Sequence, residues 1–178
     1  MSLKQARNDL ICRAMKREVI GFGGGCHWCT EAVFQALKGV VSVDQGFALS
    51  DPPADRWSEA VRVAFDPSQI GLSDLIEVHL RTHASGANHS MRSKYRSAIY
   101  TLDAAQAERA GQALEALRSD FDHPLVTQIL PLSDFSHSDE RFQNYYKTNP
   151  ERPFCQRYID PKLAVIRERF AKHVIENR

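Results

Sequence analysis

The sequence lacks most of the features that mark specialised classes of protein. No apolar run approaches the roughly 20 residues needed to cross a bilayer, so no membrane association is expected. Its charges almost cancel: 23 Lys and Arg against 22 Asp and Glu leave a formal +1. That balance gives no electrostatic reason to expect nucleic acid or an acidic membrane as partner. Internal repeats and low-complexity tracts are absent, which argues against a repeat architecture. The residues from Met1 to Asp9 lack the apolar core of a signal peptide. Cysteine is scarce, four in 178 residues. A cytoplasmic location is therefore expected, and there a few cysteines read as redox chemistry or metal binding before a disulfide framework.

What is present suits one globular domain. The chain is 43% hydrophobic and 25% charged, ordinary values for a domain of this size. A single domain over 1–178 is expected, with 1–16 as an extension carrying a short helical face of Leu3, Leu10, Ile11 and Met15, and Cys12 as a small hydrophobe. Strands are expected at Glu18–Phe22, Val40–Phe47, Glu59–Phe65 and Tyr95–Tyr100. A helix from Cys26 to Lys38, stopped by Gly39, follows the first strand, and a second helix capped by Ser73 runs to Thr82. The order β-α-β-β-α-β is that of an α+β, ferredoxin-like split βαβ core. Beyond it come a helix opened by Asp103 and Gln106, an extra strand at Val126–Leu130, a short helix at Ser138–Lys147 and a last helix with Pro161 in its first turn. Together these form a largely helical C-terminal extension.

The chain is organised around Gly23-Gly24-Gly25-Cys26-His27-Trp28-Cys29. Three glycines between a strand and a helix allow backbone conformations closed to other residues, positive φ included. Unpaired amides and the positive end of the helix dipole at Cys26 favour a thiolate over a thiol. Cys-x-x-Cys by itself is compatible with half of a zinc site, a thioredoxin-type dithiol, or a nucleophile with a nearby resolving thiol. Zinc needs two more ligands and no second close pair exists, so no metal is expected. Alone, Glu59, Trp28 and Tyr95 read as a solvated charge and packed rings. His79 reads as a packed histidine, and His83 and His89 as solvated loop residues.

Four segments in consistent order resemble one family. Gly25-Cys26-His27-Trp28-Cys29-Thr30-Glu31-Ala32, Glu59-Ala60-Val61 with Phe65-Asp66-Pro67, Lys94-Tyr95-Arg96-Ser97-Ala98-Ile99-Tyr100, and Phe154-Cys155-Gln156 with Ile159-Asp160-Pro161-Lys162-Leu163 are similar to segments of methionine sulfoxide reductase A. The resemblance implies reduction of methionine-S-sulfoxide, free or in protein, without a cofactor. Cys26 would be the nucleophile, and Glu59 the proton donor, its pKa raised by partial burial. Tyr95 would bond the sulfoxide oxygen. The substrate-binding candidates are Trp28, over the substrate methyl, with His27, Trp57 and Phe47. Attack leaves a sulfenic acid on Cys26. Cys29 or Cys155 then closes a disulfide, and thioredoxin or a similar dithiol reduces it. Cys155 matches the family's C-terminal resolving position.

Three departures stand out. His27 replaces the usual Phe, with less apolar area and a titratable tip. The loop after Phe47 is shortened, so the family's tyrosine there has no equivalent beyond the nearby Trp57. Ser90 replaces an acid, and His83-Ala84-Ser85 replaces His-Asp-Pro. Losing one transition-state hydrogen bond costs about 10²–10³ in rate. Two alternatives therefore stay open: a divergent enzyme acting on another sulfoxide or a peroxide, and a thiol redox sensor without turnover.

Overall fold

The computed structural model describes residues 16–176; the helical face expected before Lys16, and Cys12 with it, lie outside that range. The chain is α+β. Six strands are joined in the order β5-β4-β1-β3-β2-β6. They are β1 (Glu18–Gly23), β2 (Val40–Leu49), β3 (Ser58–Phe65), β4 (Ala98–Thr101), β5 (Gln128–Pro131) and β6 (Asp134–His137). Helix α1 (His27–Gln35) links β1 to β2, α2 (Leu72–Thr82) links β3 to β4, and α3 (Ala104–Leu117) links β4 to β5. All pairings are antiparallel except β4 with β5. A short helix, α4 (Tyr145–Thr148), and a last one, α5 (Asp160–Arg169), complete the chain. No helix among the described residues is long and apolar enough to cross a membrane.

Strand alternation sorts the side chains. Ile20 and Phe22 of β1 and Val61, Val63 and Phe65 of β3 are all fully buried, sharing one core with helix residues such as Phe34, Leu75 and Ile76. Phe22 stacks on Phe34 of α1 with ring centroids 4.6 Å apart. The other sheet face has a smaller cluster around Tyr100, with Ala48, Ala60 and Ala98. Tyr100 lies across β1 because that strand offers it glycine: a Cβ on Gly21 would sit 2.9 Å from Tyr100 Cβ. Glu59 belongs to the same alternating row as Val61, Val63 and Phe65, so the fold puts a carboxylate at the end of an apolar stripe.

Several expected boundaries shift. α2 starts after Gly71, so Ser73 lies inside the first turn and does not cap it. Asp103 does cap α3, accepting the Gln106 amide at 2.7 Å, and Gln106 Oε1 reaches back to the Leu102 amide at 3.0 Å. β4 begins only at Ala98, leaving Tyr95 on the turn before it. The helix expected over Ser138–Lys147 is broken: a 3₁₀ turn at Glu140–Phe142 precedes Asn144, which is left-handed at φ 56°. Asn residues tolerate that region, and the buried Glu31 carboxylate collects the Asn144 and Tyr145 amides there at 2.9 and 3.0 Å. The strand β6 has no counterpart among the expected elements, because a four-residue segment with one aromatic carries too little pattern.

The three glycines differ from expectation in their reason. The only positive-φ glycine among the described residues is Gly39, at 89°. Gly23 and Gly24 are needed for space. A Cβ on Gly24 would lie 2.4 Å from the His83 ring, and one on Gly23 would lie 3.0 Å from the carbonyl oxygens of both Glu59 and Arg96. Gly25 meets nothing.

His83 is accordingly not a solvated loop residue, whereas His89 is exposed. The His83 ring stacks on buried His79 at 4.2 Å and shares a 2.7 Å hydrogen bond with Ser97 Oγ. His79 Nε2 donates to the Gly23 carbonyl at 2.8 Å, which makes it the packed histidine expected. Burial pushes the His83 pKa down to about 4, with the Arg92 and Lys162 charges adding to the effect, and burial also holds His79 well below the ordinary range. A histidine with a depressed pKa takes up its proton first in the unfolded state. Stability is therefore complete above about pH 6.5 and is lost as pH falls from there toward 4. His83 alone should contribute on the order of 3 kcal/mol to that loss. Urea unfolding between these pH values should show a shallower decline in His83→Gln; an unchanged slope contradicts this account.

Candidate active site

Cys26 occupies the position before the first turn of α1, at the end of the β1–α1 turn, with extended-type backbone angles. It is partly exposed. Its sulfur makes no geometrically complete capping hydrogen bond, yet its surroundings lower its pKa. The largest contribution is the Cys29 thiol, which donates toward the Cys26 sulfur. Burial and the Glu59 charge oppose it, and the Trp28 and Cys29 amides assist. Cys29 pays the complementary shift: it is buried, and donation to Cys26 drives its own pKa far upward. Spacing of three on a helix puts the two side chains on one face. Cys155 lies behind, fully buried, its thiol 3.6 Å from the Asn149 carbonyl. It is close enough to Cys29 to act on it electrostatically.

Glu59 is 8% exposed and faces the start of α1. Its Oε2 accepts the His27 backbone N–H at 3.0 Å. The His27 ring lies beside the same oxygen, Nε2 at 3.7 Å, and the Lys94 ammonium stands 3.6 Å from Oε1. Phe47 is directly opposite Glu59 across the β2–β3 ladder and meets the His27 ring edge-on at 5.2 Å. Tyr95 is half-buried, with Lys94 Nζ 4.9 Å from its ring centroid. A hydrogen bond to Tyr95, and then the Glu59 charge, push the Lys94 pKa up. This loop is tied down at both ends. The Lys94 carbonyl accepts from the Glu59 amide and from Ser58 Oγ. Arg92 bonds the carbonyls of Gly24 and Tyr95 at 3.0 and 2.9 Å.

The structure thus brings together Cys26, Cys29, His27, Glu59, Phe47 and Tyr95. Trp57 stands apart, 45% exposed on the loop entering β3. Trp28 is held from the other direction: its indole stacks on Tyr145 at 4.1 Å and 7°, with Phe154 and Phe142 at 5.4 and 5.8 Å. Lys94, Glu31, Phe142 and Tyr145 were missed by sequence reasoning. Only Lys94 carried a signal, as the basic residue where the resembling segment has glutamine. Glu31 is buried and acts from within α1, its pKa raised by burial against three hydrogen bonds.

Among the described residues no group of three or more His, Cys, Asp or Glu is arranged to hold a metal ion. A small cavity of about 20 Å³ behind Cys26 is lined by Cys29, His79, His83 and Lys162. A separate hollow, about 590 Å³ between Gln35, Tyr146, Leu163 and Val174, shares no residue with the Cys26 site.

An acidified thiol at a helix start, facing a buried carboxylate on an α+β sheet, defines a protein built to present a cysteine nucleophile. Comparison with known proteins narrows that class. The pattern of the family described as peptide methionine sulfoxide reductase matches residues 18–174. Peptide methionine sulfoxide reductase MsrA of Deinococcus radiodurans is 38% identical over 165 residues, covering 83% of this chain and 79% of that protein. The MsrA of Chromobacterium violaceum is 36% identical over 171 residues, covering 87% of this chain and 97% of that protein. The solved structure of methionine sulfoxide reductase A of Corynebacterium diphtheriae superposes with a TM-score of 0.66 at 27% identity, over 78% of each chain. The chain belongs to the peptide methionine sulfoxide reductase family.

If the Cys29 thiol is what lowers the Cys26 pKa, then Cys29→Ala should move the pH midpoint of Cys26 alkylation by iodoacetamide upward by about one unit. A midpoint that stays in place removes Cys29 from the activation of the nucleophile.

Proposed function

We propose that this chain reduces methionine-S-sulfoxide, free or within oxidised proteins, to methionine, with Cys26 as nucleophile and a dithiol such as thioredoxin as final reductant. The observation that carries the reading is the facing pair at the start of α1. An acidified, partly exposed Cys26 lies beside a carboxylate that is 8% exposed, in a chain of the reductase family. Sulfoxide reduction needs both a thiolate for the electron-poor sulfur and a proton for the departing oxygen.

In the proposed sequence the Cys26 thiolate attacks the sulfoxide sulfur while Glu59 protonates the oxygen. Tyr95, on the turn beside Lys94, supplies a hydrogen bond to that oxygen. The hydroxyl passes to Cys26, giving a sulfenic acid and free methionine. Cys29 then attacks the Cys26 sulfur, expelling water and closing the disulfide. Their place on one face at the start of α1, where the Cys29 thiol lowers the Cys26 pKa, favours Cys29 as the first resolving thiol. Cys155, fully buried behind it, serves as a third thiol that can relay the disulfide onward. External dithiol returns Cys26 and Cys29 to the reduced state. Phe47 and His27 wall the site next to Glu59. Trp28, stacked on Tyr145, links the substrate methyl pocket to the C-terminal segment, and Trp57 contributes only from the rim.

The inner order β4-β1-β3-β2 with antiparallel pairing throughout supports a ferredoxin-like split βαβ core, carried on a single domain that acts in the cytoplasm.

Thioredoxin- or dithiothreitol-coupled assays on methionine-S-sulfoxide should show turnover that Cys26→Ser abolishes. Glu59→Gln should slow single-turnover methionine release by about 10²–10³. Activity surviving Cys26→Ser, or an unchanged single-turnover rate in Glu59→Gln, overturns the corresponding assignment.

A further inference from the structure

Histidine at position 27 does more than fill the place of a phenylalanine. Its Nδ1 is 2.7 Å from the Gly46 carbonyl oxygen. A carbonyl can only accept, so Nδ1 carries a proton whatever the charge of the ring. The nitrogen left free of that carbonyl is Nε2, and Nε2 is the one that faces Glu59 Oε2 at 3.7 Å. The ring is 7% exposed and held edge-on by Phe47. The Gly46 carbonyl that orients it lies where β6 closes tightly on β2: a Cβ on Gly46 would meet the Ser136 carbonyl oxygen at 2.1 Å.

We propose that His27 and Glu59 share one transferable proton, so that His27 acts as the proton reservoir for the carboxyl group beside Cys26. The proton rests either on Nε2, giving an imidazolium beside a carboxylate, or on the carboxyl group beside a neutral ring. Both arrangements have the same net charge. An isolated carboxyl group would have to keep its proton by exclusion from water alone; here the imidazole can hold that proton 3.7 Å away, a gap that a small rotation of the Glu59 carboxyl group or one bridging water closes for transfer. The charged and titratable groups around the pair come from each neighbouring element. Lys94 stands 3.6 Å from Glu59 Oε1 on the loop before β4. Cys26 lies at the start of α1, where the Glu59 charge acts on its thiol. Glu31, buried further along α1, feels the His27 charge. With Lys94 beside Oε1, a negative Glu59 has a counter-charge at each oxygen when Nε2 is protonated.

The step balances. The Cys26 thiolate, the sulfoxide and one proton from the pair give the Cys26 sulfenic acid and the thioether. The attack of Cys29 releases water and needs no net proton. When an external dithiol reduces the disulfide, one of its two protons goes to Cys29, Cys26 leaves as thiolate, and the other proton restores the pair. His27 acts through Glu59, touches no reacting atom and is a positioning residue. Its role in delivery rests on the reading of Glu59 as proton donor to a sulfoxide, whereas the shared proton does not depend on any substrate.

Two measurements test the proposal. The first is nitrogen-15 NMR of the histidine ring in the reduced full chain, with the His27 signals assigned by their loss in His27→Phe. The neutral ring should carry its proton on Nδ1, and the midpoint of Nε2 titration should fall by about one pH unit in Glu59→Gln. A neutral ring protonated on Nε2, or a midpoint that does not move, overturns the shared proton whether or not the protein reduces any sulfoxide. The second is the single-turnover rate with methionine sulfoxide as a function of pH in His27→Asn, whose amide nitrogen can still donate to Gly46 but cannot titrate. The alkaline fall in rate should move down by about one pH unit, a loss of about tenfold at a pH near 8. An alkaline limb that coincides with that of the unsubstituted protein overturns the reservoir role.

Discussion

One hydrogen bond fixes the relation between the two reacting parts of this molecule: the His27 backbone amide donates to Glu59 Oε2 at 3.0 Å. The first amides of a helix have no partner within it, and α1 satisfies one of them with a carboxylate supplied by β3. That carboxylate can be there only because β3 pairs with β1 in a register that sets Phe22 opposite Val61, bringing Glu59 level with the end of β1 and the turn into Cys26. A charge-assisted bond of this kind is worth about 1.5–3 kcal/mol, and leaving either group buried without it costs more. The strand register, the helix start and the distance between acid and thiol are thus one constraint.

Around that bond the site is arranged to keep charge where the chemistry needs it. The Cys29 thiol stabilises negative charge on Cys26 and keeps its own proton in doing so. The same thiol is the one proposed above to resolve the sulfenic acid. Glu31 works one turn further along α1, on the face that carries His27: its buried carboxylate accepts the Asn144 and Tyr145 amides and the Gln45 side chain. That anchors the segment whose Tyr145 stacks on Trp28. Two carboxylates on or against one helix therefore do different work, one beside Cys26 and one holding the C-terminal cover. Behind them His79 and His83 close on Gly23 and Gly24, and their burial as neutral rings makes the support of this turn sensitive to acid.

Much of this was legible in the residues. The alternation in β3 and the apolar run of β1 located the central strands, and the glycines before Cys26 located the start of the helix that follows it. Composition could not show why the glycines are there. Three in a row suggested unusual backbone angles, but Gly23 and Gly24 serve close approach, and that depends on His83 and Arg96 arriving from distant parts of the chain. The break in the helix expected over Ser138–Lys147 also needs a partner remote in sequence, since it is Glu31 that captures the amides at Asn144. Lys94 and the tautomer of His27 are of the same kind. Each is decided by one atom of another strand or loop, and no local pattern encodes that.

The central claim is that Cys26, and not another thiol, takes the oxygen from a sulfoxide. Its most direct test is chemical trapping in a Cys29→Ser, Cys155→Ser double variant, in which the sulfenic acid has neither proposed resolving thiol to attack it. One addition of methionine sulfoxide in the presence of dimedone should yield about one equivalent of methionine per chain and a dimedone adduct that peptide mass spectrometry maps to Cys26. Methionine formed without an adduct on Cys26, or an adduct confined to another residue, would contradict the account.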